Sequence, residues 1–257
     1  MGIALLAGWA ARGIASATTT VIEPTPSTAL VDLCRAHDIK LNPAGPRRPA
    51  GVLVLAIKPQ MLDAAVPALR ELVGPATLVV SILAGKSLAD IATRLPGVTG
   101  IVRAMPNTPA AIGRGISGLA ATPGTLPPQR EFAQRLLEAV GDAVWLPDED
   151  KMDAVTAVSG SGPAYLFLFA EKLAEAGRAA GLPPDLAARL ARKTVEGAAA
   201  LMEADSATPP STLRENVTSP GGTTAAALEI FNQKDALGVL VERAVAAAVA
   251  RGKELSG

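Results

Sequence analysis

The chain has 257 residues, enough for one large domain or two modest ones with buried cores. Hydrophobic residues make up 49% and charged residues 19%, which excludes a disordered chain. The 24 basic and 24 acidic residues cancel, so electrostatics gives no reason to expect nucleic acid or an anionic membrane as a partner.

A single cysteine, Cys34, and a single histidine, His37, exclude a disulfide framework and a zinc cluster. Both fall in or just after a helix read from Ser27 to Ala36, as a packed thiol and a surface imidazole. No third group nearby would activate them as a nucleophilic pair. A lone thiol points to the reducing cytoplasm. The opening segment Met1–Trp9 is apolar but has neither a basic start nor a small-residue cleavage site. No run reaches the roughly 18 apolar residues of a membrane span, so a soluble protein is expected.

In chain order, the first element is a helix, with apolar residues at Ile3, Leu6, Ala7 and Ala10 and an end at Gly13. Short β-branched or apolar runs follow at Thr18–Ile22, Gly51–Ile57, Thr77–Ile82, Thr99–Ala104 and Ala143–Leu146, most bounded by Gly or Pro. Amphipathic stretches at Gln60–Leu72, Ser87–Leu95 and Pro127–Val140 alternate with them. Ser87 and Asp90 have the spacing of a capping box. Near-continuous apolar strands alternating with helices imply a parallel sheet covered on both faces, a doubly wound α/β architecture over residues 1–150.

Beyond about Asp148 the strand signals stop. Pro163–Ala180, Pro184–Glu203, Thr223–Phe231 and Asp235–Leu255 read as helices, with Pro163 and Pro184 near starts, where a missing N–H costs nothing. Alanine crowds the last of them (Ala244, Ala246, Ala247, Ala248, Ala250), which permits close helix–helix approach. An all-helical half over residues 151–257 is hard to stabilise alone, so packing against a second copy is expected.

The N-terminal helix lacks the strand and G-x-G-x-x-G turn that introduce it in a dinucleotide-binding unit. Gly2 stands where the third glycine would let helix and strand pack closely; the first two are absent from the chain as written. A start placed inside the fingerprint is the expected cause. Loss of this central strand should leave a gap in the sheet, with unpaired backbone groups on both neighbours. Glu23, about twenty residues after Gly2, occupies the usual place of the carboxylate that binds a ribose 2′-hydroxyl. It would repel a 2′-phosphate, although Thr25 and Ser27 could hydrogen-bond one; a solvated turn acid is the plainer reading.

Three other strand ends carry ligand-type chemistry. Lys58-Pro59 closes one strand, as a crevice lysine or simply a solvated one. Ala84-Gly85 closes the next, where glycine permits close backbone approach to a flat ring. Asn107, between Pro106 and Thr108-Pro109, closes a third with a rigidly held amide. Ser159-Gly160-Ser161-Gly162-Pro163 follows helical sequence, so it reads as a tight interhelical turn or close-packing site and not as a phosphate loop. Ser219-Pro220-Gly221-Gly222-Thr223-Thr224 places hydroxyls and backbone N–H groups before a helix, which suits either a carboxylate seat or a plain helix cap.

Taken together, Ala56–Gln60, Ser81–Gly85, Met105–Pro109, Ser159–Tyr165 and Val217–Thr224 with Leu228 resemble the pyrroline-5-carboxylate reductase family over essentially the whole chain. The resemblance implies a Rossmann domain followed by a helical domain that interlocks with its mate, giving a homodimer or higher homo-oligomer. It implies reduction of 1-pyrroline-5-carboxylate to L-proline by NADPH, with NADH as the other candidate. Met1, Gly2, Glu23, Lys58, Pro59, Ala84, Gly85 and Asn107 would line the cofactor. Ser219, Gly221, Gly222 and Thr223 would hold the substrate carboxylate, and Thr224 would hydrogen-bond the ring nitrogen. Hydride attack on an imine that arrives partly protonated needs no strong general acid, so the lack of a candidate catalytic His, Cys or acid pair suits this reaction.

Two other readings compete. A β-hydroxyacid dehydrogenase would need a catalytic lysine on the interdomain helix; Lys172 is the nearest, and it sits between Glu171 and Glu175 as a solvated face would. A non-catalytic paralogue would keep the fold without holding the cofactor.

Overall fold

The computed structural model describes residues 1–45 and 48–256. Two compact units emerge: Met1–Ser161 together with Ala248–Gly257, and Gly162–Ala247.

The first unit opens with helix α1 (Gly2–Ala11), then β1 (Thr20–Val21), α2 (Thr28–Ala36) and β2 (Lys40–Leu41). Next come β3 (Val52–Leu55), α3 (Leu62–Arg70), β4 (Leu78–Ser81), α4 (Leu88–Arg94) and β5 (Gly100–Met105). The unit continues with β6 (Gly115–Ala121), α5 (Pro127–Glu138), β7 (Gly141–Trp145) and α6 (Met152–Val155). Every strand and helix expected in this half is present, with shifted ends. The Ser87–Asp90 capping box forms: Ser87 Oγ accepts from Asp90 N at 3.0 Å, and Asp90 Oδ2 accepts from Ser87 N at 2.9 Å.

β3, β4 and β5 are parallel and in register, so that Leu55, Ser81 and Arg103 stand side by side at their carboxyl ends. β6 corrects the expectation of a wholly parallel sheet. It runs antiparallel to β5 and parallel to β7, so β6 and β7 are reversed against the first three strands. Its sequence, Gly115-Ile116-Ser117-Gly118-Leu119-Ala120-Ala121, is too poor in β-branched residues to announce a strand. Small side chains are needed there: a Cβ on Gly118 would lie 2.8 Å from Val155 Cγ1.

The gap expected from the sequence is present. β1 and β2 form a two-stranded parallel sheet, separate from the five strands ordered β3-β4-β5-β6-β7. The Lys40 and Asn42 amides donate to Thr19 and Val21 carbonyls, so the backbone groups of Thr20 and Ile22 point away from β2. On β3, Gly51 and Leu55 carbonyls accept from Leu78 and Ile82, which leaves Val52 and Val54 facing the other edge. α1 covers this seam with Leu5, Leu6 and Ala10 buried. Leu5 joins one face of the five-stranded sheet, and Leu6 and Ala10 join a separate cluster with Ala15, Leu30, Cys34 and Ile39. Gly8 lets α1 close on Val140, and Trp9 Nε1 donates to Leu136 O at 2.6 Å.

The second unit is helical: α7 (Gly162–Ala179), α8 (Pro184–Ala204), α9 (Pro210–Asn216), α10 (Thr223–Asn232) and most of α11 (Ala236–Ser256). α9 lacks a sequence signal beyond Pro210 near its start, because seven residues are too few to show periodicity. Gly177 allows α7 and α8 to meet, its absent Cβ being 3.3 Å from Ala187 Cβ. Large apolar side chains stay exposed on these helices, among them Phe167 at 71%, Ile230 at 64% and Leu240 at 61%. Among the described residues no helix is long and apolar enough to cross a membrane.

Candidate active site

Three of the sequence-derived segments come together at one edge of the five-stranded sheet. Parallel register alone puts the loops after β3, β4 and β5 next to one another, at the carboxyl ends where open α/β sheets bind ligands. After β3, exposed Lys58 precedes a 3-10 turn, Pro59–Met61, fixed by Pro59 and by Met61 N donating to Lys58 O at 2.9 Å. After β4, Ala84 is exposed and Gly85 turns the chain at φ +70°. The last turn of α11 lies over that glycine: a Cβ on Gly85 would be 3.1 Å from the Leu255 carbonyl.

Asn107, after β5, is buried with its amide committed inside the fold. Its Oδ1 accepts from Ile116 N at 2.9 Å, and its Nδ2 donates to Ser159 O at 3.1 Å. It therefore ties the start of β6 to the π-helical turn Thr156–Gly160. This turn replaces the tight interhelical turn expected at Ser159–Pro163, and its wider winding bonds Ser161 N to Thr156 O at 2.8 Å. The close packing expected there is present, since a Cβ on Gly160 would be 3.1 Å from Met105 Cε.

Met1 caps α1 through Leu5 N donating to its carbonyl at 3.1 Å, and Gly2 is the first helical residue. A Cβ on Gly2 would lie 3.2 Å from Ala56 Cβ, just past β3. That near-contact is the close helix–strand packing expected of a third fingerprint glycine. Glu23, two residues past β1, is half-buried, and its Oε1 accepts from Thr25 N at 3.0 Å.

Sequence reasoning missed Glu149. Its Oε1 takes hydrogen bonds from Arg103 Nη1 at 2.9 Å and from Leu88 N, the first residue of α4, at 2.8 Å. One carboxylate oxygen thus joins the end of β5 to the helix that follows the Ala84–Gly85 loop. The signal was available: an arginine on a buried apolar strand requires an anionic partner.

In the helical unit, Ser219–Thr224 makes a turn closed by Gly222 N donating to Ser219 O at 3.0 Å. Pro220 and Gly221 occupy its centre, and Gly221 has φ +69°, the conformation that calls for glycine at the third position of a type II turn. Gly222 is the N-cap of α10, and Ala226 N donates to its carbonyl at 3.2 Å. Thr223 and Thr224, both exposed, form the first turn, whose N–H groups have no partner within the helix. Hydroxyls and open N–H groups at a helix N-terminus favour a carboxylate. Lys172, the residue on which a dehydrogenase reading depends, is exposed and bridged to Glu175 at 2.9 Å, as a solvated face would be.

The family model described as pyrroline-5-carboxylate reductase dimerisation matches residues 149–255. A pyrroline-5-carboxylate reductase of Pseudomonas aeruginosa is 42% identical over 257 residues, covering 100% of this chain and 93% of that protein. One from Synechocystis is 46% identical over 206 residues, covering 79% of this chain and 74% of its own. Among solved structures, a pyrroline-5-carboxylate reductase from Coxiella burnetii superposes with a TM-score of 0.87 at 33% identity, covering 99% of this chain and 94% of its own. A Plasmodium falciparum pyrroline carboxylate reductase, solved with NADP bound, has a TM-score of 0.79 at 27% identity, with 100% and 95% covered. On this identity, coverage and shared fold, the chain belongs to the pyrroline-5-carboxylate reductase family.

Proposed function

We propose that the chain reduces 1-pyrroline-5-carboxylate to L-proline, the last step of proline biosynthesis, with a reduced nicotinamide dinucleotide as hydride source. The observation that carries this reading is the 42% identity to the Pseudomonas aeruginosa reductase across the whole of this chain. The donor set fits the dinucleotide: a carboxylate past β1, an exposed lysine past β3, and a positive-φ glycine past β4 where backbone can approach a flat ring. When bound, that cofactor supplies the hydride.

This chain's own residues would bind and orient. Lys58 with Pro59, and Ala84 with Gly85, would line the nicotinamide dinucleotide. Asn107 would act through the loop it pins, since its amide already bonds Ile116 and Ser159. Ser219, Gly221, Gly222 and Thr223 would hold the substrate carboxylate at the start of α10. Thr224 would hydrogen-bond the ring nitrogen and so stabilise the charge that shifts there as the C=N bond is reduced.

The exposed apolar side chains of the helical unit and its match to a dimerisation family support a homodimer or larger homo-oligomer. Balanced charge supports small-molecule work without nucleic acid. The lone, buried Cys34 supports a reducing cytoplasmic setting.

The test is oxidation of NADH or NADPH, followed at the nicotinamide absorbance, with pyrroline-5-carboxylate as acceptor and proline identified as product. Turnover with proline formation is expected. Absence of proline with either cofactor overturns the reading.

A further inference from the structure

Glu23 stands on a fixed piece of backbone. Asn42 Oδ1 accepts from Glu23 N at 2.9 Å, and Asn42 Nδ2 donates to Glu23 O at 2.7 Å, so one side-chain amide clamps both backbone groups. The carboxylate is fixed as well. Thr25 donates to Oε1 twice, from its backbone N–H at 3.0 Å and from its hydroxyl at 3.3 Å. The second oxygen, Oε2, accepts no hydrogen bond from a described residue.

The same contacts commit the donors nearest Glu23 that a phosphate would need. Thr25 gives both its donors to Glu23. Ser27, the N-cap of α2, accepts from Leu30 N at 3.3 Å through its Oγ, which leaves its O–H able to donate. Pro24 and Pro26, on either side of Thr25, have no N–H to offer. The Glu23 N–H is held by Asn42. From Glu23 to Pro26 the chain therefore presents a held anion and no uncommitted N–H or O–H donor, the nearest such hydroxyl being that of Ser27. A ribose 2′-hydroxyl can donate to such a carboxylate, whereas a 2′-phosphate meets like charge.

We propose that Glu23, held by Thr25 and Asn42, makes this chain select NADH over NADPH. The inference rests on the reading above, that the carboxyl end of β1 belongs to a dinucleotide site. Thr25 and Asn42 act as positioning residues through Glu23.

The experiment is direct binding to the full-length protein by quenching of intrinsic tryptophan fluorescence, with NADH and NADPH titrated separately, alongside reductase assays with each. NADH should bind at least about tenfold more tightly, a modest discrimination because the carboxylate is half-buried and screened by solvent. Glu23→Gln keeps size and an acceptor while removing the charge, and should narrow the preference to about threefold or less, mainly by strengthening NADPH binding. Thr25→Val, which removes only the hydroxyl pin, should narrow it less. Equal or tighter NADPH binding by the unaltered protein overturns the proposal, and so does an unchanged ratio in Glu23→Gln. Either result with proline still formed leaves the reductase reading standing. Failure to bind either dinucleotide refutes both the selectivity and the cofactor half of that reading.

Discussion

Arg103 and Glu149 form a 2.9 Å ion pair in which the arginine side chain is only 8% exposed. Glu149 also accepts from the Leu88 amide, so its removal leaves both a buried guanidinium and a helix N–H without their partner. Glu149→Ala should cost about 3 kcal/mol, read from urea unfolding, with Glu149→Gln recovering part of it. A loss below about 0.5 kcal/mol would place the pair among ordinary surface bridges. The joint replacement Arg103→Met with Glu149→Leu should be milder than Glu149→Ala, because no charge is left buried alone.

Thr224→Val should lower kcat by about 100-fold while changing cofactor affinity less than about twofold, because in the proposed role the hydroxyl would act on the reacting nitrogen only. Stopped-flow turnover and equilibrium binding separate the two. Equal losses in both would show that Thr224 supports the helical unit generally and not the chemistry.

The capping box gives a pH prediction. Burial opposes ionisation of Asp90, but hydrogen bonds from the Ser87 amide and hydroxyl outweigh it and hold its carboxyl below the usual range. A depressed carboxylate contributes stability that is present above the unfolded value, near about 3.9, and is lost as pH falls through the lower folded value. Ser87→Ala should therefore cost about 1 kcal/mol at neutral pH. Its deficit against the unaltered protein should shrink in melts taken below about pH 3.5. A deficit that stays constant down to acid pH would show that the box is not the cause.

At Gly85, φ +70° and the Leu255 carbonyl both oppose a side chain. Gly85→Ala should cost about 1–2 kcal/mol and weaken cofactor binding together with it. Thermal melts with and without NADH test this, and a stable Gly85→Ala protein of normal affinity would refute it.

Much of this was legible in the sequence because it depends on local signals. Ser87 and Asp90 cap as their spacing says, and Gly2 packs closely on the end of β3 as a fingerprint glycine would. The separate ladder of β1 and β2 matches the gap in the sheet that the sequence led us to expect. What escaped was set by long-range partners. β6 is a strand because β5 and β7 flank it, despite its Gly and Ala content. The commitment of Asn107 to Ile116 and Ser159, and the meeting of Glu149 with Arg103 across 46 residues, depend on contacts that no short window contains.

The seam between the two sheets has a consequence for how the molecule opens. The segment from Ala15 to Asn42 has a ladder only two residues long per strand, and its small core of Ala15, Leu30, Cys34 and Ile39 is completed by Leu6 and Ala10 of α1. Among the described residues no ladder of hydrogen bonds couples it to the larger sheet, so it should open at a free energy well below that of global unfolding. Hydrogen–deuterium exchange would then find the Lys40 and Asn42 amides exchanging on the order of 100-fold faster than those of Leu78 and Ile82, although all four are hydrogen-bonded. If Glu23 reads the coenzyme's ribose as proposed, it does so from the least cooperative part of the molecule, and coenzyme binding should slow exchange there first.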